Sequence, residues 1–227
     1  MPDTYTPNDR RPIASRDTRM AQAVAHRLAE RRVSPNQISL LGMLFSVTAA
    51  ACFWGTANET GALVRVLWFT GALAVQLRLL CNLFDGMVAI ERGLASPVGE
   101  LYNEVPDRVS DAVTLIGFGA AIGGSMTWGW AAALVAVFVA YSRSVVAQAG
   151  APIDFRGPLA KAQRMALVTL AAVYMAVRPS TWAWDFGEAR AMLMVITFGG
   201  LVTAMGRLLR GAHALRALHA KDGASDV

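Results

Sequence analysis

Six apolar segments occupy most of the chain, and each is close to the length that crosses a lipid bilayer. We place them at about residues 37–55, 61–90, 98–122, 128–149, 159–178 and 189–209. A transmembrane helix needs roughly 20 apolar residues, because its backbone must bond internally where water is absent. Hydrophobic residues make up 55% of the chain and charged residues 16%, which is typical of a polytopic membrane protein. The pattern predicts an all-α fold with six transmembrane helices.

The sequence before the first apolar segment is polar and rich in arginine. We predict a disordered cytosolic tail at 1–18, an amphipathic interfacial helix at 19–33, a six-helix transmembrane domain at 34–212 and a cytosolic tail at 213–227. Met20, Val24 and Leu28 share one face of the first helix, and most of its arginines lie elsewhere. This arrangement is typical of a helix lying in the membrane interface. A soluble helix packed on loops is the alternative.

The distribution of Arg and Lys predicts the orientation in the membrane. Both terminal segments and the loops near 91–97 and 143–161 carry cations, whereas the loops near 56–60 and 123–127 carry none. Cation-rich loops stay in the cytoplasm, so we expect both termini and the polar site near 82–111 on the cytoplasmic side of the inner (plasma) membrane, which the chain crosses several times. The net charge of +5 then suits anionic lipid. No basic stripe is interleaved with aromatic residues, so we expect no nucleic-acid partner.

Polar residues recur at helical spacing where the second apolar segment ends and the third begins. The second ends with Asn82, Asp85, Gly86 and Ala89, and the third begins with Gly99, Asn103 and Asp107. Glu100, Glu104 and Asp111 form an adjoining stripe. A carboxylate at membrane depth costs about 2.5–3.5 kcal/mol on insertion scales, so the cluster predicts a functional site. The short connection makes the two helices antiparallel neighbours, and their facing oxygen ligands are of the kind that Mg²⁺ or Mn²⁺ binds.

This stretch resembles the signature of the CDP-alcohol phosphotransferase (CDP-alcohol phosphatidyltransferase) family. That signature is D-x-x-D-G-x-x-A-R, eight residues, then G-x-x-x-D-x-x-x-D. The residues that match it in register are Asp85, Gly86, Ala89, Gly99 and Asp107. Flanking similarities lie at Pro35-Asn36 with Ser39, at Tyr141-Ser142-Arg143, and at Lys161 with Arg164. The resemblance covers about residues 20–210.

The resemblance implies an enzyme of phospholipid biosynthesis. Such an enzyme moves a phosphatidyl or similar phospho-alcohol group from a CDP-linked lipid, such as CDP-diacylglycerol, to a small polar alcohol and releases CMP. It also implies Mg²⁺ or Mn²⁺ as cofactor and a homodimer. Carried over to this chain, the metal ligands are Asp85, Asp107, Asn82 and Asn103, with Asp107 also the catalytic base. The nucleotide contacts are Gly86, Ala89 and Gly99, and the acceptor contacts are Arg143, Lys161 and Arg164.

The chain departs from the signature at three positions. Asn82 and Asn103 stand where the family has its first and third aspartates, and Ile90 stands at the position of its arginine. Each Asn removes one negative charge, which weakens the affinity for a metal and favours a single ion. Glu100, Glu104 and Asp111 are candidate compensating acids, and Arg92 is a candidate replacement for the arginine.

Several alternatives remain open at this point. Asp85 and Asp107 could form structural ion pairs with Arg78 or Arg108, and the two asparagines could bond between helices. A divergent family member with changed or lost activity is one functional alternative. A small ion or solute transporter that uses the acidic cluster is another. The acceptor is not readable from the sequence, although the cationic contacts favour a phosphorylated alcohol.

Overall fold

The computed structural model describes residues 14–94, 96–182 and 186–225, without the side chains of Ala14, Ser15, Pro97, Glu100, Ser180 and residues 221–225. Its helices are α1 (Arg19–Glu30), α2 (Pro35–Gly55), α3 (Ala62–Glu91), α4 (Pro97–Gly119), α5 (Met126–Gln148), α6 (Lys161–Val177) and α7 (Glu188–Ser225). Two 3₁₀ turns, Ala14–Asp17 and Ser180–Trp182, complete the secondary structure of this part of the chain, which contains no β-strand. The predicted all-α class is confirmed.

Each predicted apolar segment coincides with a helix, but the helices differ in how well they suit a bilayer. By length and composition, four are able to cross a membrane: α2, α3, α5 and the Glu188–Ala220 part of α7. The other two are α4, which carries several charged residues, and α6, which has only 17 residues. The protein is therefore a helical membrane protein, and the count of six crossings stays a prediction. The helix α7 also continues to Ser225, well into the predicted C-terminal tail.

The connection between α3 and α4 is set by two local capping signals. Gly93 has a φ of 61°, and the Leu94 amide donates to the carbonyl of Ala89 at 2.8 Å, which is the pattern that ends many helices. Ser96 then accepts a hydrogen bond from the Gly99 amide at 3.0 Å and caps the start of α4. The short connection allows both halves of the motif to lie at the same end of the bundle.

An aromatic cluster at the other end of the bundle joins three helices. The rings of Phe53, Trp68 and Phe118 lie 5.2–5.6 Å apart between centroids, and all three side chains are buried. Gly117 permits a close approach of α4 to α2, since a Cβ there would lie 2.3 Å from the Cα of Ala50. This packing holds α2, α3 and α4 together with rigid, fully buried contacts.

The pattern of helix contacts leaves space between the two motif helices. The helix α2 packs along both α3 and α4, α5 packs on α4 and α7, and α6 packs on α3. By contrast, α3 and α4 contact each other in only a few places. The helix α1 packs on α3, where Nδ1 of His26 lies 2.8 Å from Oε1 of Glu91. The placement of α1 in a membrane interface stays a prediction.

Candidate active site

A cavity of about 1090 Å³ brings together most of the residues that the sequence singles out. Its lining includes Asn82, Asp85, Gly86, Ala89, Gly99, Asn103, Glu104, Asp107, Arg143, Lys161 and Arg164. These residues come from four helices, and the flanks Pro35, Asn36 and Ser39 at the start of α2 also line the cavity. The predicted metal, nucleotide and acceptor residues thus face one shared space.

Asp107 lies at the centre of a network of cations. Its Oδ1 accepts a hydrogen bond from Nη2 of Arg78 at 2.6 Å and another from Nζ of Lys161. Nη2 of Arg108 lies 3.5 Å from the other carboxylate oxygen. Arg78 and Asp107 are both buried, at 2% and 9% exposure. Asp107 therefore forms an ion pair with Arg78, which was one of the alternatives that the sequence left open. Its side chain also lines the cavity.

Asp111 extends this network to α6. Its Oδ1 lies 2.6 Å from Nη2 of Arg78, and its Oδ2 accepts a hydrogen bond from Nη2 of Arg164 at 2.6 Å. Asp111 and Arg164 are almost completely buried. A buried charge is costly unless it is paired, and Arg78 and Arg164 neutralise the buried carboxylate of Asp111. Asp111 thus already forms ion pairs with two arginines. Its role as a compensating metal ligand stays a prediction.

Asp85 is held by neutral donors. Ser39 donates its hydroxyl hydrogen to Oδ2 of Asp85 at 2.8 Å, and the amide of Gly86 donates to Oδ1 at 2.6 Å. The carboxylate is buried but lines the cavity. Ser39 was not among the predicted site residues. Its position one helical turn after Pro35, in the stretch that resembles the family, is the signal that points to it.

The two asparagines differ in their surroundings. Oδ1 of Asn82 accepts a hydrogen bond from Nζ of Lys161 at 2.5 Å. Oδ1 of Asn103 is buried and has no hydrogen-bond partner within the part of the chain that is described. A second cavity of about 20 Å³ lies between them and is also lined by Asp85 and Asp107. That volume is close to the smallest that holds one water molecule or one small ion.

A second ion-pair cluster lies on the wall of the larger cavity. Oε2 of Glu104 lies 2.5 Å from Nη2 of Arg108, and Oε1 lies 2.9 Å from Nη2 of Arg143. The guanidinium of Arg143 also stacks over the ring of Phe155, 5.3 Å from its centroid. Glu104 therefore positions Arg143 at the predicted acceptor contact. Its role as a compensating acid, like that of Glu100, stays a prediction.

Arg92 lies away from these contacts. Its Nη1 donates to the carbonyl of Val33 at 3.0 Å and to the carbonyl of Arg32 at 3.3 Å. Arg92 therefore ties the loop after α3 to the turn between α1 and α2. Its predicted part as a substitute for the family's arginine stays a prediction.

The loop between α5 and α6 forms part of the cavity wall, which the sequence analysis did not anticipate. Ile153 and Phe155 in this loop line the cavity together with Arg207 of α7. Arg207 donates to the carbonyls of Phe155 at 3.1 Å and Val139 at 2.9 Å. Arg207 falls inside a predicted apolar segment, and a charge in such a segment is a signal of function or of a buried partner.

The residues of the motif fit one divalent cation better than two. Among the described residues, no three His, Cys, Asp or Glu side chains converge in the manner of a metal site. The small cavity is lined by Asp85, Asp107 and the unpartnered carbonyl oxygen of Asn103, which are oxygen ligands of the type that Mg²⁺ and Mn²⁺ accept, and also by the cationic side chain of Arg78. On the side of Asn82, the ammonium of Lys161 already contacts Oδ1 of Asn82 and Oδ1 of Asp107, the two oxygens that a second cation would need.

Fold and site together define a helical membrane protein with an acidic motif that faces basic residues across one cavity. The family model of CDP-alcohol phosphatidyltransferases matches residues 32–206. The chain belongs to this family. It is therefore a transferase of substituted phosphate groups, which moves a phosphatidyl or similar phospho-alcohol group from a CDP-linked lipid to an acceptor alcohol in phospholipid biosynthesis, with release of CMP.

Two relatives share sequence with most of the chain. The archaetidylinositol phosphate synthase of Pyrococcus horikoshii is 26% identical over 159 residues, which are 69% of this chain and 78% of the relative. The phosphatidylinositol phosphate synthase of Streptomyces avermitilis is 24% identical over 198 residues, which are 85% of this chain and 78% of the relative. Both names refer to the synthesis of an inositol phosphate lipid.

Solved structures of a similar enzyme share the fold. The phosphatidylinositol phosphate synthase of Mycobacterium tuberculosis with CDP-DAG bound superposes with a TM-score of 0.69 at 20% identity, covering 87% of this chain and 94% of that one. The same enzyme in complex with manganese and citrate gives a TM-score of 0.66 at 19% identity, covering 86% and 88%. At this identity the likeness concerns the fold.

Proposed function

We propose that the chain transfers a phosphatidyl group to a phosphorylated polyol of the inositol phosphate type, at the cavity between α3 and α4. The observation that carries the proposal is the joint placement of Asp85 and Asp107 with Arg143, Lys161 and Arg164 around one cavity. Two relatives named for inositol phosphate lipids add support for this acceptor.

Asp107 is the proposed base. The acceptor hydroxyl attacks the phosphorus that carries the lipid, its proton passes to Asp107, and the bond between that phosphorus and the bridging oxygen breaks to release CMP. Arg78 and Lys161 both bond to one oxygen, Oδ1, of this carboxylate. The other oxygen has the longer contact of 3.5 Å to Arg108, which leaves it the better placed of the two to accept a proton.

The donor is proposed to lie along the ends of α3 and α4. Gly86, Ala89 and Gly99 line the cavity with little or no side chain, so a flat cytosine ring and its ribose are able to approach the backbone closely. The exposed apolar sides of the same helices are then available to the lipid chains. This arrangement keeps the nucleotide at the polar end and the lipid in the bilayer.

One Mg²⁺ or Mn²⁺ is proposed to be held by Asp85, Asn103 and Asp107. When bound, such a cation neutralises the negative charge that develops on the donor pyrophosphate. Ser39 holds the carboxylate of Asp85 in place through its hydroxyl hydrogen bond. The unpartnered oxygen of Asn103 and the small cavity beside it support this assignment.

The acceptor phosphate is proposed to bind near Arg143. This guanidinium is held by Glu104 and by the ring of Phe155, so its direction is set before the substrate binds. Arg164 and Lys161 line the same cavity and contribute positive potential to it. A phosphorylated acceptor therefore gains from contact with Arg143 and from this positive potential, whereas an uncharged alcohol does not.

The membrane placement follows from the same residues. We propose that all six helices from α2 to α7 cross the inner membrane, with both termini and the cavity on the cytoplasmic side. Asp107 and Asp111 of α4 and Arg164 of α6 are buried in ion pairs within the bundle, which supports the crossing of both helices. In this arrangement α1 lies in the interface, and the exposed apolar helix faces contact lipid or a second copy in a homodimer.

Paired acceptors test the proposal. Purified full-length protein in lipid is given CDP-diacylglycerol and Mn²⁺, and CMP release is measured with inositol phosphate or inositol, and with glycerol 3-phosphate or glycerol. We expect release with inositol phosphate to exceed release with inositol by at least tenfold. Equal release with both members of each pair, or release that does not fall in Arg143→Met, would contradict a phosphate-recognising acceptor site.

A further inference from the structure

We infer that the ammonium of Lys161 is a built-in cation that takes the place of a metal ion between Asn82 and Asp107, so that the chain binds a single divalent cation. Nζ of Lys161 lies 2.5 Å from Oδ1 of Asn82 and also bonds to Oδ1 of Asp107. A cation that bridged these two oxygens would lie where this ammonium lies. The inference deepens the proposed function and rests on its single-cation site.

Charge matching supports this assignment. Lys161 carries one positive charge, and its two partners are one neutral amide and one carboxylate that it shares with Arg78. Arg78 in turn lies between Asp107 and Asp111, and Arg164 completes the pairing of Asp111. The carboxylates of Asp107 and Asp111 are thus already matched by three cationic side chains.

A divalent ion at the same place would meet strong repulsion. It would have to displace Lys161 and then lie at Oδ1 of Asp107, which Nη2 of the buried Arg78 already contacts at 2.6 Å. An aspartate in place of Asn82 would supply the missing negative charge for such an ion, but asparagine does not. The asparagine and the lysine therefore fit each other as a pair.

Lys161 is also placed to contact the donor. An ammonium group has three N–H donors, and Asn82 and Asp107 use two of them. Lys161 lines the large cavity and keeps 16% of its side chain exposed, so the third N–H is available to a phosphate oxygen of the donor. In this way one fixed charge neutralises part of the pyrophosphate without a second metal.

Counting bound Mn²⁺ by electron paramagnetic resonance tests the inference independently of activity. Purified full-length protein is titrated with Mn²⁺, and the free ion is measured from its six-line signal. We expect one bound Mn²⁺ per chain for wild type and for Asn82→Asp, because Lys161 remains in both. We expect two for the double variant Asn82→Asp with Lys161→Met, with the broadened spectrum of two spin-coupled ions.

The control removes a cation from the same cavity at another place. Arg143→Met takes away one positive charge near Glu104, away from Asn82 and Asp107, and should leave the count at one. Two bound Mn²⁺ in wild type or in Asn82→Asp alone would overturn the inference. A double variant that is folded, as its thermal unfolding shows, but still binds one ion would also overturn it.

The same titration separates this inference from the proposed function. Wild type that binds no Mn²⁺ would overturn the single-cation site between Asp85, Asn103 and Asp107. A gain of one ion in the double variant would in that case still support the role of Lys161. If wild type binds two ions and releases CMP in a Mn²⁺-dependent way, the proposed transfer reaction stands. Only the inference that Lys161 replaces a metal ion is then overturned.

Discussion

Arg78 of α3 and Asp107 of α4 form a buried ion pair, with 2.6 Å between Nη2 and Oδ1, that joins two helices with few other contacts. The pair connects the two motif helices beside the cavity, and Asp107 is also the proposed base. Lys161 on α6 bonds to Asp107, and Asp111 on α4 forms an ion pair with Arg78. The charged network is therefore the part of the fold that sets the distance between the halves of the motif.

The first prediction concerns Arg78. Arg78→Met leaves Asp107 and Asp111 short of a cation in a buried setting, which we expect to cost about 3–5 kcal/mol of stability. Thermal unfolding in detergent measures the loss. Arg65 lies on the same helix, is exposed and donates to the carbonyl of Arg178, so Arg65→Met is the control and should change little. Equal stability of the two variants would refute the structural role.

The second prediction concerns Ser39. Ser39→Ala removes the hydroxyl that bonds to Asp85 at 2.8 Å, and loss of a hydrogen bond that orients a metal ligand typically lowers metal affinity by about 10–100-fold. Mn²⁺ affinity, measured by calorimetry, should fall within that range. Thr48 is an exposed hydroxyl residue of the same helix that bonds only to its own helix, so Thr48→Ala should keep the wild-type affinity. Unchanged affinity in Ser39→Ala would argue against Asp85 as a ligand.

The third prediction concerns the approach of α2 and α4. A methyl group at Gly117 would lie 2.3 Å from the Cα of Ala50, so Gly117→Ala must push the helices apart. Overpacking of this kind costs about 1–3 kcal/mol. At Gly55 the added carbon meets only the end of the Leu67 side chain at 3.2 Å, which is able to move. Unfolding temperatures that fall for Gly117→Ala but not for Gly55→Ala would bear this out, and the reverse order would contradict it.

The fourth prediction is a pH dependence at the loop between α5 and α6. Partial burial alone would raise the pKa of Asp154, but hydrogen bonds from Arg210 and Arg156 lower it from 3.8 to about 2. Because the folded-state pKa is the lower one, Asp154 stabilises the fold above about pH 5, and this contribution is lost as the pH falls towards 2.

The variant Asp154→Asn isolates this effect. Its unfolding temperature should lie below that of wild type at pH 7, and the difference should shrink at pH 3. A difference that is the same at both values, or larger at pH 3, would show that the ion pairs of Asp154 do not contribute in the folded state. The loop also carries Phe155, so the variant should weaken the stacking on Arg143 at neutral pH.

Much of the fold was predictable because it depends on local signals. The apolar segments have the length of a helix, and Pro35, Gly93 and Ser96 mark where helices begin or end. The register of Asp85 and Asp107 in the motif likewise placed both on facing helix ends. These features are set by residues that lie near one another in the chain.

The pairing of the charges was not predictable in the same way. Arg78 was one of two candidate partners for the motif acids, and it bonds to Asp107 and Asp111, about 30 residues away. Lys161 was expected at the acceptor, and it lies against Asn82 and Asp107. Such contacts depend on how α3, α4 and α6 pack, which no local pattern contains. The cost of placing the charged helix α4 in a membrane likewise depends on the partners of its charges, which lie on other helices.

The most direct test of the account is CMP release from CDP-diacylglycerol by wild type and Asp107→Asn in lipid with Mn²⁺ and inositol phosphate. The account predicts Mn²⁺-dependent release by wild type and a loss of at least 100-fold in the variant, with the variant still folded and still binding the CDP-lipid. Wild type that releases no CMP with any alcohol, or a folded Asp107→Asn variant that is as active as wild type, would contradict it.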